Sequence, residues 1–362
     1  MSSPPFAARL ARAVMRGLGA LPLGLQRALA GRPIHIDGQD LHPTVQLGLR
    51  LLNLTAGETF ETKPLAEGRA ELAGEAWVFG DALPVASVAD LTLAGPHGPV
   101  PMRLYKPAPT GAARPLVVYY HGGGWVLGDL EACDSVARFL VTNAGVAVLS
   151  VDYRLAPEHR FPVGLEDSLA AFDHAVAHAS AYGCDPRLVG VAGESAGGNI
   201  AAVISLLAAE RARAGAGGPA PAFQLLFQPV TDLTTKHPSY ALFGKGLFLT
   251  EAQMDWYKDQ YLNDPGEAFD PRVSPLLAAD VAGLPPAFVA VAGFDPLRDE
   301  GEAYAARLAA AGVPVMLRRF SGVTHGLINA TGVGPVAREM LLEVCGALGV
   351  LVAFARARAA PA

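Results

Sequence analysis

The chain has 362 residues, 51% of them apolar and 17% charged, with a net charge of −6 and no Lys/Arg-rich block. That balance excludes a disordered segment, which buries too little apolar surface to fold, and a nucleic-acid reader, which needs clustered cations. Cys133, Cys184 and Cys345 are odd in number and widely spaced, which predicts neither a disulfide framework nor a zinc site and points to a reducing, cytoplasmic location.

In chain order, residues 1–75 read as helical pieces. Arg9, Arg12, Arg16, Arg27 and Arg32 lie among small and apolar residues. Pro22 and Gln26 interrupt the apolar run that a secretory signal would need. An amphipathic helix over the active site, or touching a membrane surface, fits better. Segment 43–54 carries Val45, Leu49 and Leu52 beside Leu47, Leu51 and Leu54, a broad apolar face at helical spacing. No strand signal precedes residue 77, and no stretch is read as a transmembrane helix of ~20 continuous apolar residues.

Beyond residue 77 the pattern changes. Segments 99–107, 115–120, 145–153, 187–193, 222–228, 287–293 and 313–320 are short, apolar and β-branched. Several are near-continuous, as strands buried on both faces are. Helical candidates lie between them at 131–143, 165–182, 196–213, 299–311 and 335–356. This alternation predicts an α/β fold with a mostly parallel central sheet flanked by helices. Residues 212–221 read as a surface loop, and 233–275 break the rhythm as an insertion.

Three constellations carry chemistry. GESAGG at 193–198 follows a strand and opens a helix, the context of a G-x-S-x-G nucleophile elbow. Gly193 and Gly197 suit a turn in which any Cβ would clash, and the helix N-terminus favours developing negative charge. This makes Ser195 the candidate nucleophile. HGGGW at 121–125 follows strand 115–120, like the oxyanion loop of lipases and esterases. The amides of Gly123, Gly124 and Ala196 are then the candidate oxyanion donors. His121 reads as structural. Of the histidines after Ser195, His237 sits in the insertion, whereas His325 lies in a Gly-flanked loop past a strand. Asp295 follows strand 287–293; Asp299 and Glu300 are its rivals, better placed in the first turn of the next helix. The order Ser195, Asp295, His325 is that of α/β-hydrolases.

Taken together, HGGGW at 121–125, DYRLAPEHRFP at 152–162, GESAGG at 193–198, DPLRDEG at 295–301 and HG at 325–326 resemble the hormone-sensitive-lipase-like family of bacterial esterases. The resemblance spans about residues 77–350. It implies an α/β-hydrolase core over residues 76–362 with a helical cap supplied by 1–75 and 233–275. It also implies hydrolysis of short- to medium-chain carboxylic esters without metal or organic cofactor, on a small-molecule substrate, by a chain that can form a homodimer. Trp125, Phe294 and Leu327 adjoin the catalytic positions and are expected to line the pocket. Asp152 and Glu158 are read as structural. One residue departs from the family pattern: Glu194 stands where relatives commonly carry Asp or Thr, so a contact that Asp makes there need not exist here. An amidase or lactonase with the same triad is the nearest alternative. A binding protein of the same fold, like the gibberellin receptors, would lack the triad that this chain keeps. A membrane-surface lipase is the third.

Overall fold

The computed structural model describes residues 5–55 and 59–359. Eight strands form one sheet: β1 Ser87–Gly95, β2 Gly98–Lys106, β3 Arg114–Tyr120, β4 Ala147–Val151, β5 Cys184–Glu194, β6 Gln224–Phe227, β7 Ala287–Phe294 and β8 Val315–Thr324. Their spatial order is β8-β7-β6-β5-β3-β4-β2-β1. The β1–β2 and β2–β4 pairs are antiparallel and the rest parallel. The central strands are largely apolar because helices cover both faces; every residue of β4, β6 and β7 is buried.

The helices are α1 Phe6–Gly19, α2 Leu23–Ala30, α3 Pro43–Thr55, α4 Leu65–Phe79, α5 Asp134–Ala144, α6 Val163–His178, α7 Ala196–Arg213, α8 Pro238–Phe243, α9 Glu251–Tyr261, α10 Arg298–Ala310 and α11 Val336–Ala359. Local chemistry sets several of their ends. Gly145 stops α5 in the left-handed conformation that glycine tolerates. Thr250 and Gln253 start α9 with a reciprocal capping box. The excursion between β6 and β7 holds α8 and α9.

Two strand features differ from the sequence reading. β1 was not anticipated, because as an edge strand its residues are exposed or half-buried and its alternation is diluted by small and charged residues. A two-residue ribbon, His35–Ile36 with Gln39–Asp40, also precedes residue 77. Asp37 and Gly38 turn it with φ of 54° and 71°, the positive values of an Asp-Gly hairpin turn. Strands this short carry no periodicity to read.

α11 is apolar over much of its length. Val336–Arg358 is long and apolar enough to cross a membrane by length and composition, with a mean hydropathy of 1.9, and 44% of that window is buried in the fold. Leu341, Val344, Leu348 and Leu351 enter the core, while Leu342, Val350 and Phe354 are exposed. Burial of one side accounts for much of its apolar composition.

Candidate active site

Strand β5 ends at Glu194 and helix α7 begins at Ala196, leaving Ser195 on the turn between them. Ser195 has φ 57° and ψ −118°, a conformation that costs about 1–3 kcal/mol and persists only where surroundings impose it. They do so here. Ser195 N–H donates to Phe227 O at 2.8 Å, and its carbonyl accepts Asn199 N–H at 3.0 Å. The flanking glycines are required by distance: a Cβ on Gly193 would lie 2.2 Å from Gly197 O, and one on Gly197 would lie 2.0 Å from Tyr120 O. Ser195 borders a cavity, and among the described residues no group hydrogen-bonds to its hydroxyl.

Loop 121–128 closes over the same point. Gly123 O accepts Val126 N–H at 3.1 Å and Leu127 N–H at 2.8 Å, folding the loop into a tight turn. Gly123 and Gly124 have φ of 111° and 61°, which favours glycine. Among the described residues, the amides of Gly123, Gly124 and Ala196 find no acceptor. Free amides beside a serine at a helix N-terminus suit a developing oxyanion. His121 is fully buried; its Nδ1 bonds Gly122 O at 2.7 Å, and its ring stacks on Tyr153 at 4.4 Å. It braces the loop from behind.

The loops after β7 and β8 bring Asp295 and His325 together across 30 residues. His325 Nδ1 bonds Asp295 Oδ2 at 2.8 Å, and Leu297 N–H donates to Asp295 Oδ1 at 2.9 Å. The rivals are held elsewhere. Asp299 accepts Ser239 N–H at 2.9 Å, and Glu300 accepts Thr231 N–H at 2.7 Å. His237 faces Asp232 at 3.2 Å.

Glu194 completes the group. Its Oε1 lies 3.3 Å from His325 Nε2, with both side chains buried. A Cβ on Gly122 would meet Glu194 Oε2 at 1.9 Å, so the elbow carboxylate packs directly on the glycine loop. Burial pushes the Glu194 carboxyl up, as does Asp295, while His325 opposes this. For His325, burial works against the charged form, but Asp295 and then Glu194 outweigh it, and the imidazole is shifted upward.

The comparisons with known proteins agree with this geometry. Residues 117–329 match the family described as alpha/beta hydrolase fold. Carboxylic ester hydrolase LipN of Mycobacterium tuberculosis is 46% identical over 337 residues, covering 91% of this chain and 88% of that protein. The chain belongs to the hormone-sensitive-lipase-like esterases of the α/β-hydrolase fold. Ethyl acetate hydrolase of Pseudomonas putida is 39% identical over 268 residues, covering 72% of this chain and 82% of the relative. Among solved structures, the esterase of Pyrobaculum calidifontis superposes with a TM-score of 0.81 at 35% identity, covering 86% of this chain and 98% of that one. Ester-hydrolase EH1AB1 from the Lake Arreo metagenome, in complex with a bipyridine phosphonate derivative, gives 0.81 at 38% identity over 86% of this chain and 98% of its own.

Within this family member, two pocket expectations need correcting. Trp125 is buried and stacks on Tyr261 at 4.3 Å, away from the cavity. Phe294 points into the core against Phe243 at 5.4 Å. Both adjoin site residues in sequence, but alternation and the turn send their side chains elsewhere. Leu327 lines the cavity. The other walls come from Met15 of α1, Val45 and Leu49 of α3, Leu72 and Glu75 of α4, and Phe248 and Tyr257.

Several supporting residues had no sequence signal. Gln228 brackets His325: its Oε1 accepts Gly326 N–H at 2.8 Å and its Nε2 donates to Thr324 O at 3.3 Å. Gln39 of the short ribbon donates to Gly293 O at 2.7 Å, and the ribbon's Asp37 pairs with Arg298 at 2.6 Å. Glu158 receives a bidentate grip from Arg69 of α4 at 2.8 and 2.7 Å, tying that helix to segment 152–162. Asp152, by contrast, is pushed up to about 6 by burial and by Asp129.

Proposed function

We propose that the chain hydrolyses short- to medium-chain carboxylic esters through a Ser195–His325–Asp295 triad. The observation that carries this reading is the cluster itself: a strained serine at a helix N-terminus, three unspent amides beside it, and a buried imidazole fixed by a carboxylate. In the reaction, His325 Nε2 turns from Glu194 to take the proton of Ser195 Oγ as the oxygen attacks the ester carbonyl. Asp295 holds the Nδ1–H tautomer and stabilises the imidazolium. The amides of Gly123, Gly124 and Ala196 receive the oxyanion, each worth ~2.7–4 kcal/mol by analogy with other such donors. His325 then protonates the leaving alcohol, and water repeats the sequence on the acyl-enzyme.

Residues 1–75 together with 233–275 act as the cap over this site. Met15, Leu49 and Leu72 on one side, and Leu249 and Tyr257 on the other, support that reading because they wall the cavity above Ser195. The test is Ser195→Ala. It is expected to lower kcat by roughly 10^5- to 10^6-fold while leaving the fold intact, as nucleophile removal does in subtilisin, and to abolish labelling by a fluorophosphonate. Near-normal turnover on p-nitrophenyl acetate or butyrate would refute the assignment.

A second reading concerns location. The protein works in the cytoplasm with α1 resting on an anionic membrane surface. Phe6, Leu10 and Val14 are exposed at a spacing of four residues, and residues 1–36 contain five arginines and no acid although the whole chain is negative. Such a helix lies in the interfacial plane.

A further inference from the structure

Glu75 is a cavity group that the hydrolytic steps leave unused. It lies on α4 and lines the same cavity as Ser195 and His325. Among the described residues, none hydrogen-bonds to it or forms an ion pair with it. Lys63, the cation that acts on it, is bound to Glu71 at 2.5 Å. Among the described residues, no lysine or arginine lines the cavity, and the carboxyls that do are Glu75 and Glu194. A carboxyl left without a partner among Leu72, Phe79 and Leu52 is costly, and an apolar residue would serve a plain acyl chain better.

We propose that Glu75 is a specificity-determining residue that receives an alkylammonium group carried by the ester substrate. This rests on the esterase reading of the site. A bound cation supplies the missing partner and is selected over its neutral isostere, because a charge pair is strongest where apolar walls exclude water. Carboxylate-bearing esters are correspondingly disfavoured.

The preference is expected to follow pH. Burial, and then Glu71, pushes the Glu75 carboxyl up to about 7, with Lys63 opposing. Among the described residues, the other titratable groups lining the cavity are Tyr119, Cys133, Glu194, Tyr257 of α9 and His325, and Glu61 acts on Tyr257. Met15 of α1 and Val45 and Leu49 of α3 add no charge. Below about pH 7 Glu75 is neutral; above it, anionic. Selection for a cation therefore grows as pH rises through neutrality.

The experiment uses quaternary ammonium esters, whose own charge does not titrate. Acetylcholine is compared with 3,3-dimethylbutyl acetate, and p-nitrophenyl 4-(trimethylammonio)butanoate with p-nitrophenyl 5,5-dimethylhexanoate. One pair carries the cation in the alcohol and the other in the acyl group. Titration of His325 cancels in the cation-to-neutral ratio of kcat/KM. In the wild-type protein that ratio is expected to rise roughly tenfold from about pH 6 to about pH 8 for at least one pair, the size of a bond to a charged group. In Glu75→Gln, and in Glu75→Leu, which suits the apolar wall, it is expected to stay flat. A ratio that is flat in the wild type for both pairs, or a rise that survives in both variants, overturns the proposal. Failure of the wild type to hydrolyse either neutral ester overturns the esterase reading and this inference with it.

Discussion

Replacing Glu194 by Gln removes a carboxylate 3.3 Å from the imidazole nitrogen that accepts the serine proton in the proposed mechanism. At that separation two unit charges interact by about 1.3 kcal/mol in a water-like medium and about 5 kcal/mol at an effective dielectric near 20. At about 1.4 kcal/mol per pH unit, the limits are a shift of about one unit and nearly four. Burial pushes the Glu194 carboxyl upward, toward its neutral form, which weakens its pull on the imidazole. The expected shift is therefore near the lower limit. The sign follows from the role: His325 works as a base only when neutral, and Glu194 helps to raise its proton affinity. Glu194→Gln should move the acid limb of the pH profile of kcat/KM downward by about one unit, making the enzyme more active in mild acid. Glu194→Asp, with its carboxylate drawn back by one methylene, should give an intermediate limb. The assay is a pH series on a neutral p-nitrophenyl ester, with folding checked by circular dichroism. An acid limb that stays in place or moves upward would refute the electrostatic reasoning.

Two further outcomes are expected. Asp295→Asn should lower kcat by about 10^4-fold through loss of the correct tautomer, whereas Asp299→Asn, which alters a carboxylate bound to Ser239 and Arg298, should change kcat by no more than a few-fold; equal losses in steady-state assays would contradict the assignment of Asp295. Sedimentation with phosphatidylglycerol-containing vesicles should retain the wild type at low salt and release it at high salt, and a Phe6→Ser, Leu10→Ser, Val14→Ser variant should stay in the supernatant; equal binding to pure phosphatidylcholine would argue against an electrostatic contribution.

Much of the site could be read from sequence because the elements beneath it impose strong local patterns. A buried parallel strand is a continuous apolar run, so most strands of the sheet were anticipated to within a few residues. GESAGG and HGGGW need glycine where backbones approach within contact distance, as Gly193, Gly197 and Gly123 do here. Asp295 and His325 were reached through their positions after strands and their order in the chain.

The tertiary structure decided what depends on direction and on distant partners. Asp295 differs from Asp299 and Glu300 by where each carboxylate points, and only packing sets that. Trp125 and Phe294 are neighbours of site residues in the chain but face the core. Glu194 and Glu75 look like ordinary carboxylates in sequence; burial beside His325 makes one a partner in proton transfer, and an apolar wall without a cation leaves the other in want of a ligand. The physical reason is common to all of them: sequence specifies local backbone preference and apolar periodicity, whereas side-chain direction and the electrostatics inside a cavity arise from groups far apart in the chain that only the closed fold brings within a few ångströms.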